Sequence, residues 1–181
     1  MNVGATSETD YGDYFMWGST TPNTNTTCDW TNAPFNNGLD SYNEEYFTTH
    51  KSEWLDDNGN LKPEFDAARA IMGGDWRMPT MNEFEELIDY TTNEWVTNFK
   101  GTGVNGKNFT ASNGNSIFIP APGRRSGSSF EFRGKNGYIW SSFLGTGNIK
   151  LSMCLYFNSK PKYTYMGSER RNYGLVVRGV L

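Results

Sequence analysis

The strongest local constraint in this 181-residue chain lies between Gly73 and Ile88. Thr80 and Glu83 stand at the spacing of a capping box, in which the threonine oxygen accepts from the Glu83 amide and the glutamate reaches back to the Thr80 amide. Pro79 holds the residue before it extended, so a helix must begin just after it. Glu83, Glu85 and Glu86 place negative charge in its first turns, where the helix dipole favours it. Phe84, Leu87 and Ile88 recur at helical spacing and mark one buried stripe, with Trp76 and Met78 expected to pack beneath it. The helix is predicted to run to about Tyr90. A second helix is predicted over residues 63–72: Pro63 suits its first turn, Ala67, Ala68 and Ile71 face inward, Asp66 makes a local polar contact from its interior, and Gly73-Gly74 ends it.

The length suits one domain spanning 1–181 with a real core. Aromatic residues form 15% of the chain within a hydrophobic total of only 36%, so rings must supply much of that core. A net charge of −4 creates no basic field for nucleic acid. The two cysteines, Cys28 and Cys154, are far apart; one disulfide is possible, and a lone pair argues for it weakly. The single histidine, His50, lies in a polar stretch and reads as a solvated loop residue, which leaves no histidine-based metal cluster or nucleophile pair. No run is apolar enough to span a membrane, so direct membrane insertion is not expected, and no secretion signal precedes the domain.

Residues 11–18 read as a buried strand containing Tyr14, Phe15, Met16 and Trp17, and residues 20–37 as a long loop pinned by Trp30 and Phe35. Two runs, at Asn25 and Asn108, match the N-glycosylation sequon. The run Asp56-Asp57-Asn58-Gly59-Asn60 could be a fragment of a calcium loop, but the closing bidentate glutamate is missing, and a plain turn at Asn58-Gly59 is favoured. Trp95 and Phe99 belong to a strand expected over 91–99. Strands over 108–112 and 115–120, joined at Asn113-Gly114, form a hairpin with Ile117, Phe118 and Ile119 central. Residues 121–137 read as a long loop whose Arg124, Arg125 and Arg133 either clamp an anion or, preferably, pair with structural carboxylates.

The clearest strand covers 149–158, where Ile149, Leu151, Met153, Leu155 and Phe157 form an apolar face and Lys150, Ser152, Cys154, Tyr156 and Asn158 a mixed one. Leu175 and Val177 alternate with Val176 and Arg178. Between these strands, residues 159–173 are dense in Tyr, Arg, Asn and Ser. Such residues suit recognition, since tyrosine offers broad amphipathic contact at low entropic cost; a solvated strand face and an ordinary loop fit the composition equally well.

Several motifs carry a family resemblance. The Trp-Arg-Met-Pro-Thr run and the acidic helix after it resemble formylglycine-generating-enzyme-like proteins, a branch of the C-type lectin fold. Motifs at residues 2–5, 11–18, 66–68, 73–80, 114–118, 137–142 and 173–178 resemble, in order, lectin-fold domains of gut Bacteroidales and their phages. The resemblance implies an α+β C-type lectin fold, with two helices flanking a small mixed or antiparallel sheet, long loops, and both chain ends in one sheet. It also implies further sequence ahead of Asn2, since relatives usually continue there.

In variable proteins of diversity-generating retroelements, which this branch includes, the C-terminal part of the fold displays mutable residues. The corresponding segment here is 143–173. The resemblance places ligand contacts at Thr146, Asn148, Ser152, Cys154, Tyr156, Tyr165, Ser168, Arg170, Asn172 and Tyr173, with Trp140, Ser141, Ser142, Leu155, Phe157 and Leu175 as scaffold. Adenine mutagenesis of asparagine codons does not yield Lys, Met or Glu, so Lys150, Lys160, Lys162, Met166 and Glu169 are fixed positions or have other template codons, or the protein is a non-diversified relative. The oxidase chemistry of the formylglycine-generating branch uses two neighbouring C-terminal cysteines that bind copper, and only Cys154 lies in that half. The expectation is therefore a non-catalytic binding domain without cofactor or metal, directed at a protein or glycan on another cell or host surface. Its expected location is a cell surface, a pilus tip or a phage particle. A fixed-specificity adhesin or a structural surface module is the alternative.

Overall fold

A computed structural model describes all of residues 1–181. The architecture is α+β. In chain order the elements are β1 (Tyr14–Phe15), α1 (Glu44–Trp54), a 3-10 turn (Pro63–Phe65), α2 (Ala67–Met72) and α3 (Met81–Asp89). There follow β2 (Thr91–Val96), a second 3-10 turn (Phe99–Gly101), β3 (Gly106–Ala111), β4 (Ser116–Pro120), β5 (Arg124–Ser126) and β6 (Ser129–Glu131). The chain closes with β7 (Asn136–Trp140), β8 (Leu151–Asn158), β9 (Thr164–Arg170) and β10 (Leu175–Val176).

A five-stranded sheet in the order β1-β10-β7-β8-β9 forms the centre. It is mixed, because β10 runs parallel to β7 while the other neighbours are antiparallel. The chain ends meet beside it: the Val3 amide donates to the Val177 carbonyl at 2.8 Å, and Asn2 bridges to Arg178. The hairpins β2-β3-β4 and β5-β6 form separate small sheets.

The central sheet is buried on both faces, and its alternation sorts side chains between two cores. Phe15, Tyr138, Trp140, Cys154, Leu175 and Val177 face one core with Trp17, Phe47, Trp54 and Met78. Their neighbours Tyr14, Ile139, Leu155, Phe157 and Val176 face the other, with Phe84 of α3 and Phe109 of β3. Two indoles tie β1 to β7: Trp17 Nε1 donates to the Ser141 carbonyl at 3.0 Å, and Trp140 Nε1 to the Phe15 carbonyl at 2.8 Å.

The capping box at α3 is complete, and Arg77 adds a bidentate pair to Glu83 at 2.7 and 2.6 Å. Met78, however, packs in the first core and Phe84 in the second, so Met78 does not lie beneath the α3 stripe. The expected 63–72 helix is split at Asp66. Asp66 is the N-cap of α2: its carboxylate accepts from the Ala68 and Arg69 amides and, across the fold, from the Met78 amide at 2.8 Å. The split turns Ile71 outward while Ala67 and Ala68 stay buried.

The largest departure is α1, so three α-helices are present where two were expected. Asn43 caps α1 by accepting from the Tyr46 amide at 3.0 Å. Only Phe47 and Trp54 of α1 are buried, too sparse a pattern to stand out from its polar background. His50 is therefore a half-buried helical residue and not a loop residue. Its Nδ1 bonds the Tyr46 carbonyl, and its ring lies against Tyr46 and Trp54.

Residues 20–37 do form a loop, with Phe35 stacked on Trp54 at 4.3 Å. At residues 56–60 the Asp56 carboxylate accepts from the Asn58 and Asn60 amides and closes a tight turn. The 108–120 hairpin forms with Gly114 at φ 85 in its turn. Phe118 and Ile119 are buried, but Ile117 is exposed because β4 is an edge strand. The first strand after α3 ends at Val96, and Phe99 instead stacks on Phe118 from the 3-10 turn. Cys28 and Cys154 are both free, buried thiols lodged in different clusters. Burial pushes Cys28 up to about 11 and Cys154 well above the usual thiol range.

Candidate ligand-binding surface

Register decides which side chains of the C-terminal sheet share a face. Tyr138 pairs with Tyr156, which pairs with Tyr165. Directly opposite residues project to the same side, so the three tyrosines form a row across β7, β8 and β9. Their ring centroids are 5.1 Å apart at each step. The row continues to Phe132 beyond Tyr138 and to Tyr163 beyond Tyr165. Phe132, Tyr163 and Tyr165 are exposed, while Tyr138 is buried and Tyr156 half-buried. Asparagine amides orient two of the phenols: Asn136 donates to the Tyr138 hydroxyl at 3.1 Å, and Asn158 to the Tyr156 hydroxyl at 2.8 Å.

Along β9 the same face carries Tyr165, Gly167 and Glu169. Gly167 lies opposite Cys154 and leaves a gap in the layer of side chains. That gap is a cleft of about 300 Å³ lined by Tyr138, Cys154, Tyr156, Tyr165, Gly167, Ser168 and Glu169. Arg124 closes one side. Its Nη1 holds both oxygens of Glu169 at 2.8 Å, and its Nε holds Glu131 at 2.9 Å. The guanidinium also sits 4.6 Å from the Tyr173 ring centroid and 5.6 Å from that of Tyr138. Burial raises Glu169 above the usual carboxylate range, a push that the neighbouring Arg124 reduces without cancelling.

The other two arginines of the 121–137 segment differ from Arg124. That segment contains the β5-β6 hairpin and the start of β7, so it is not a simple loop. Arg133 donates to the Tyr14 hydroxyl and lies 3.8 Å from the Phe130 centroid, with no carboxylate partner. Arg125 is buried against Phe130, its Nε unbonded. Pairing with structural carboxylates thus holds for Arg124 alone.

The ten expected contacts do not form one site. Ser152 and Cys154 are 0% and 1% exposed, Cys154 lining the cleft opposite Gly167 only from within, and Asn172 is buried beside Arg171. These three are corrected to interior positions. The cause is the second core: the mixed side of β8 faces packed aromatics as fully as the apolar side does. Tyr156 and Tyr165 are brought together, and Tyr173 reaches the site through Arg124. Ser168 and Arg170 are exposed at the opposite parity of β9 from Tyr165, aligned with Met153 and Leu151; Ser168 still borders the cleft beside Gly167, whereas Arg170 does not. Thr146 and Asn148 are exposed before β8 begins, whereas Tyr156 lies near its end. The expected scaffold residues Trp140, Ser141, Ser142, Leu155, Phe157 and Leu175 are all buried.

Phe132, Tyr138, Tyr163, Gly167 and Glu169 join the site without having been selected from the sequence. The alternation of Tyr163, Tyr165, Gly167 and Glu169 was the available signal, once β9 is known to pair with β8.

Arg171, next to Asn172, is fully buried without any carboxylate partner. Its guanidinium lies 3.9 Å from the Phe47 centroid, with Trp17, Trp30 and Tyr42 around it, and its Nε donates to the Ile149 carbonyl. It fastens the loop before α1 to the end of β9.

No three or more His, Cys, Asp or Glu side chains are grouped so as to hold a metal ion, and no helix is long and apolar enough to cross a membrane. Comparison with protein families, curated proteins and solved structures finds no match for this chain.

Proposed function

We propose that the chain is a non-catalytic ligand-binding domain of the C-type lectin fold, which recognises a protein or glycan on another surface through its C-terminal sheet. The observation that carries this reading is the row Phe132, Tyr138, Tyr156, Tyr165 and Tyr163, partly solvent-exposed and reaching the β9 edge of the central sheet. Rigidly held, partly exposed tyrosines give contact area at low ordering cost. Entry of both chain ends into one region of sheet, with α2 and α3 as successive helices, supports the lectin-fold reading. The raised thiols of Cys28 and Cys154, buried in separate clusters, favour binding over the copper-dependent oxidase chemistry of the formylglycine-generating branch.

Diversification of segment 143–173 by a retroelement remains part of this reading, narrowed to its exposed positions. Met166 packs against the second core and Glu169 is tied to Arg124, which explains why both would be held constant. Display at a cell surface, pilus tip or phage particle would add avidity to modest single-site affinity. A screen of surface proteins and glycans tests the proposal, with wild type compared against the double variant Tyr163→Ala/Tyr165→Ala. A loss of about tenfold or more in affinity is expected if the row is the contact, equivalent to about 1.4 kcal/mol. Undiminished binding by the double variant would overturn it. Sequencing the gene across one population separates the diversified form from a fixed-specificity adhesin. Substitutions at adenines in the codons of the exposed residues mark the former.

A further inference from the structure

The cleft at Gly167 has a chemistry more specific than a general contact surface. It is walled by three tyrosine rings and one carboxylate, and its volume of about 300 Å³ sits at the small end of ligand pockets, with room for one extended side chain. Successive rings of the row are tilted by 57° and 46°. A flat stacking platform for a sugar chain needs rings close to parallel; tilted rings line a concavity instead.

The charge is unbalanced. One guanidinium, Arg124, serves two carboxylates, Glu131 and Glu169, so one negative charge is left over. Glu169 is the more enclosed of the two, its side chain 15% exposed against 37% for Glu131. The nearby cations are engaged elsewhere: Arg133 by Phe130 and the Tyr14 hydroxyl, and Lys160 over the Tyr163 ring. Arg170 belongs to the opposite face of β9. Aromatic rings beside a carboxylate in a partly desolvated cleft attract a cation through both the ring quadrupole and the residual charge.

We propose that the Gly167 cleft receives a lysine side chain from a partner protein, its ammonium held among the rings of Tyr138, Tyr156 and Tyr165 beside the Glu169 carboxylate. The aliphatic stem would lie along the tyrosines while the charged end reaches Glu169. This assignment rests on the C-terminal sheet being the binding face, and it names the chemistry recognised there.

The position of Gly167 provides a test that removes no wall of the cleft. A Cβ there would lie 3.3 Å from the Tyr156 Cβ and 3.6 Å from Tyr165 Cε2, so Gly167→Ala intrudes between the two rings in an ordinary strand conformation. Amide chemical shifts of the full chain would be followed during titration with N-acetyl-lysine methylamide, its neutral isostere N-acetyl-norleucine methylamide, and tetramethylammonium. The lysine compound should saturate in the millimolar range and move Tyr156, Gly167 and Glu169, and norleucine should not. Gly167→Ala should abolish the response with the rest of the spectrum retained. Glu169→Gln should weaken it several-fold, whereas Tyr165→Phe, which keeps the ring, should leave it intact.

Equal responses to lysine and norleucine, or a lysine response that survives Gly167→Ala, would overturn the proposal. Tighter binding of tetramethylammonium than of the lysine compound would also overturn it, in favour of a quaternary ammonium headgroup. No lysine response, combined with loss of partner binding in Tyr163→Ala/Tyr165→Ala, would sink the lysine assignment and leave the wider reading standing. Partner binding intact in that double variant would overturn both, since Tyr165 is a wall of the cleft as well as a member of the row.

Discussion

Two arginine–glutamate pairs in this molecule look alike in distance and behave oppositely. Arg77 holds Glu83 at the start of α3, and Arg124 holds Glu169 beside the tyrosine row. The Arg77 guanidinium, reinforced by the Thr80 amide and hydroxyl, draws Glu83 down to about 2. Glu169 is pushed the other way by burial, although Arg124 contacts both of its oxygens. The first carboxylate is partly open to water and has a surplus of donors. The second is enclosed and shares its only cation with Glu131. A local structural device saturates its charge, whereas a recognition site can leave some charge for a ligand.

The comparison breaks most visibly if the Glu83 pair proves dispensable. Glu83→Ala removes the capping box and the bidentate pair together, and chemical denaturation should show a loss of about 2 kcal/mol. Partner binding should not change, since α3 packs on the face of β8 and β9 opposite to the tyrosine row. The acid limb gives a smaller effect. A carboxylate with a depressed folded pKa adds stability that is complete above its ordinary value of 4.5 and fades as pH falls through about 2. The Glu83 side chain is about one-third exposed, so solvent screening holds this contribution to about 1 kcal/mol. Unfolding of wild type and Glu83→Gln as a function of pH should differ in slope over that interval.

Glu169 should show the opposite slope at smaller amplitude. Its raised folded pKa means that the folded state holds the proton more tightly, so stability is highest below the ordinary carboxylate value and declines as pH rises through the raised one. Glu169→Gln should flatten this limb and alter stability at neutral pH by less than about 1 kcal/mol, because the desolvation cost and the Arg124 attraction nearly offset. A stability loss as large as that of Glu83→Ala would make Glu169 structural after all. The smallest effect is expected at Gly167→Ala. Relief of the glycine entropy cost opposes a tight contact with Tyr156, leaving stability within about 0.5 kcal/mol of wild type.

The legible parts of the sequence share a short range. The capping box of α3 needs only Thr80 and Glu83, and the 108–120 hairpin only its flanking strands and Asn113-Gly114. α1 carries Asn43, Glu44 and Glu45 at its start, yet two buried anchors among eleven residues gave too weak a stripe to read. At Asp66, a side chain that also accepts from Met78 decided where α2 begins, and no local pattern contains that contact. The site was legible in part. Of the expected contacts, Tyr156, Tyr165 and Ser168 border one cleft, while Arg170, five residues along β9 from Tyr165, falls on the other face.

Alternation normally separates core from solvent, but the central sheet has a core on each side. Apolar and mixed positions of β8 are therefore both buried, and Ser152 and Cys154 look exposed in sequence while lying inside. Chain-local chemistry was sufficient for the α3 start, the tight turns and the tyrosine-rich character of the last forty residues, because those depend on spacing alone. Strand register, set by pairing across residues 136–170, decided which tyrosines became a row, which carboxylate kept uncompensated charge, and that Gly167 opens a cleft between them. Those outcomes depend on which backbone lies beside which, and no single stretch of sequence carries that information.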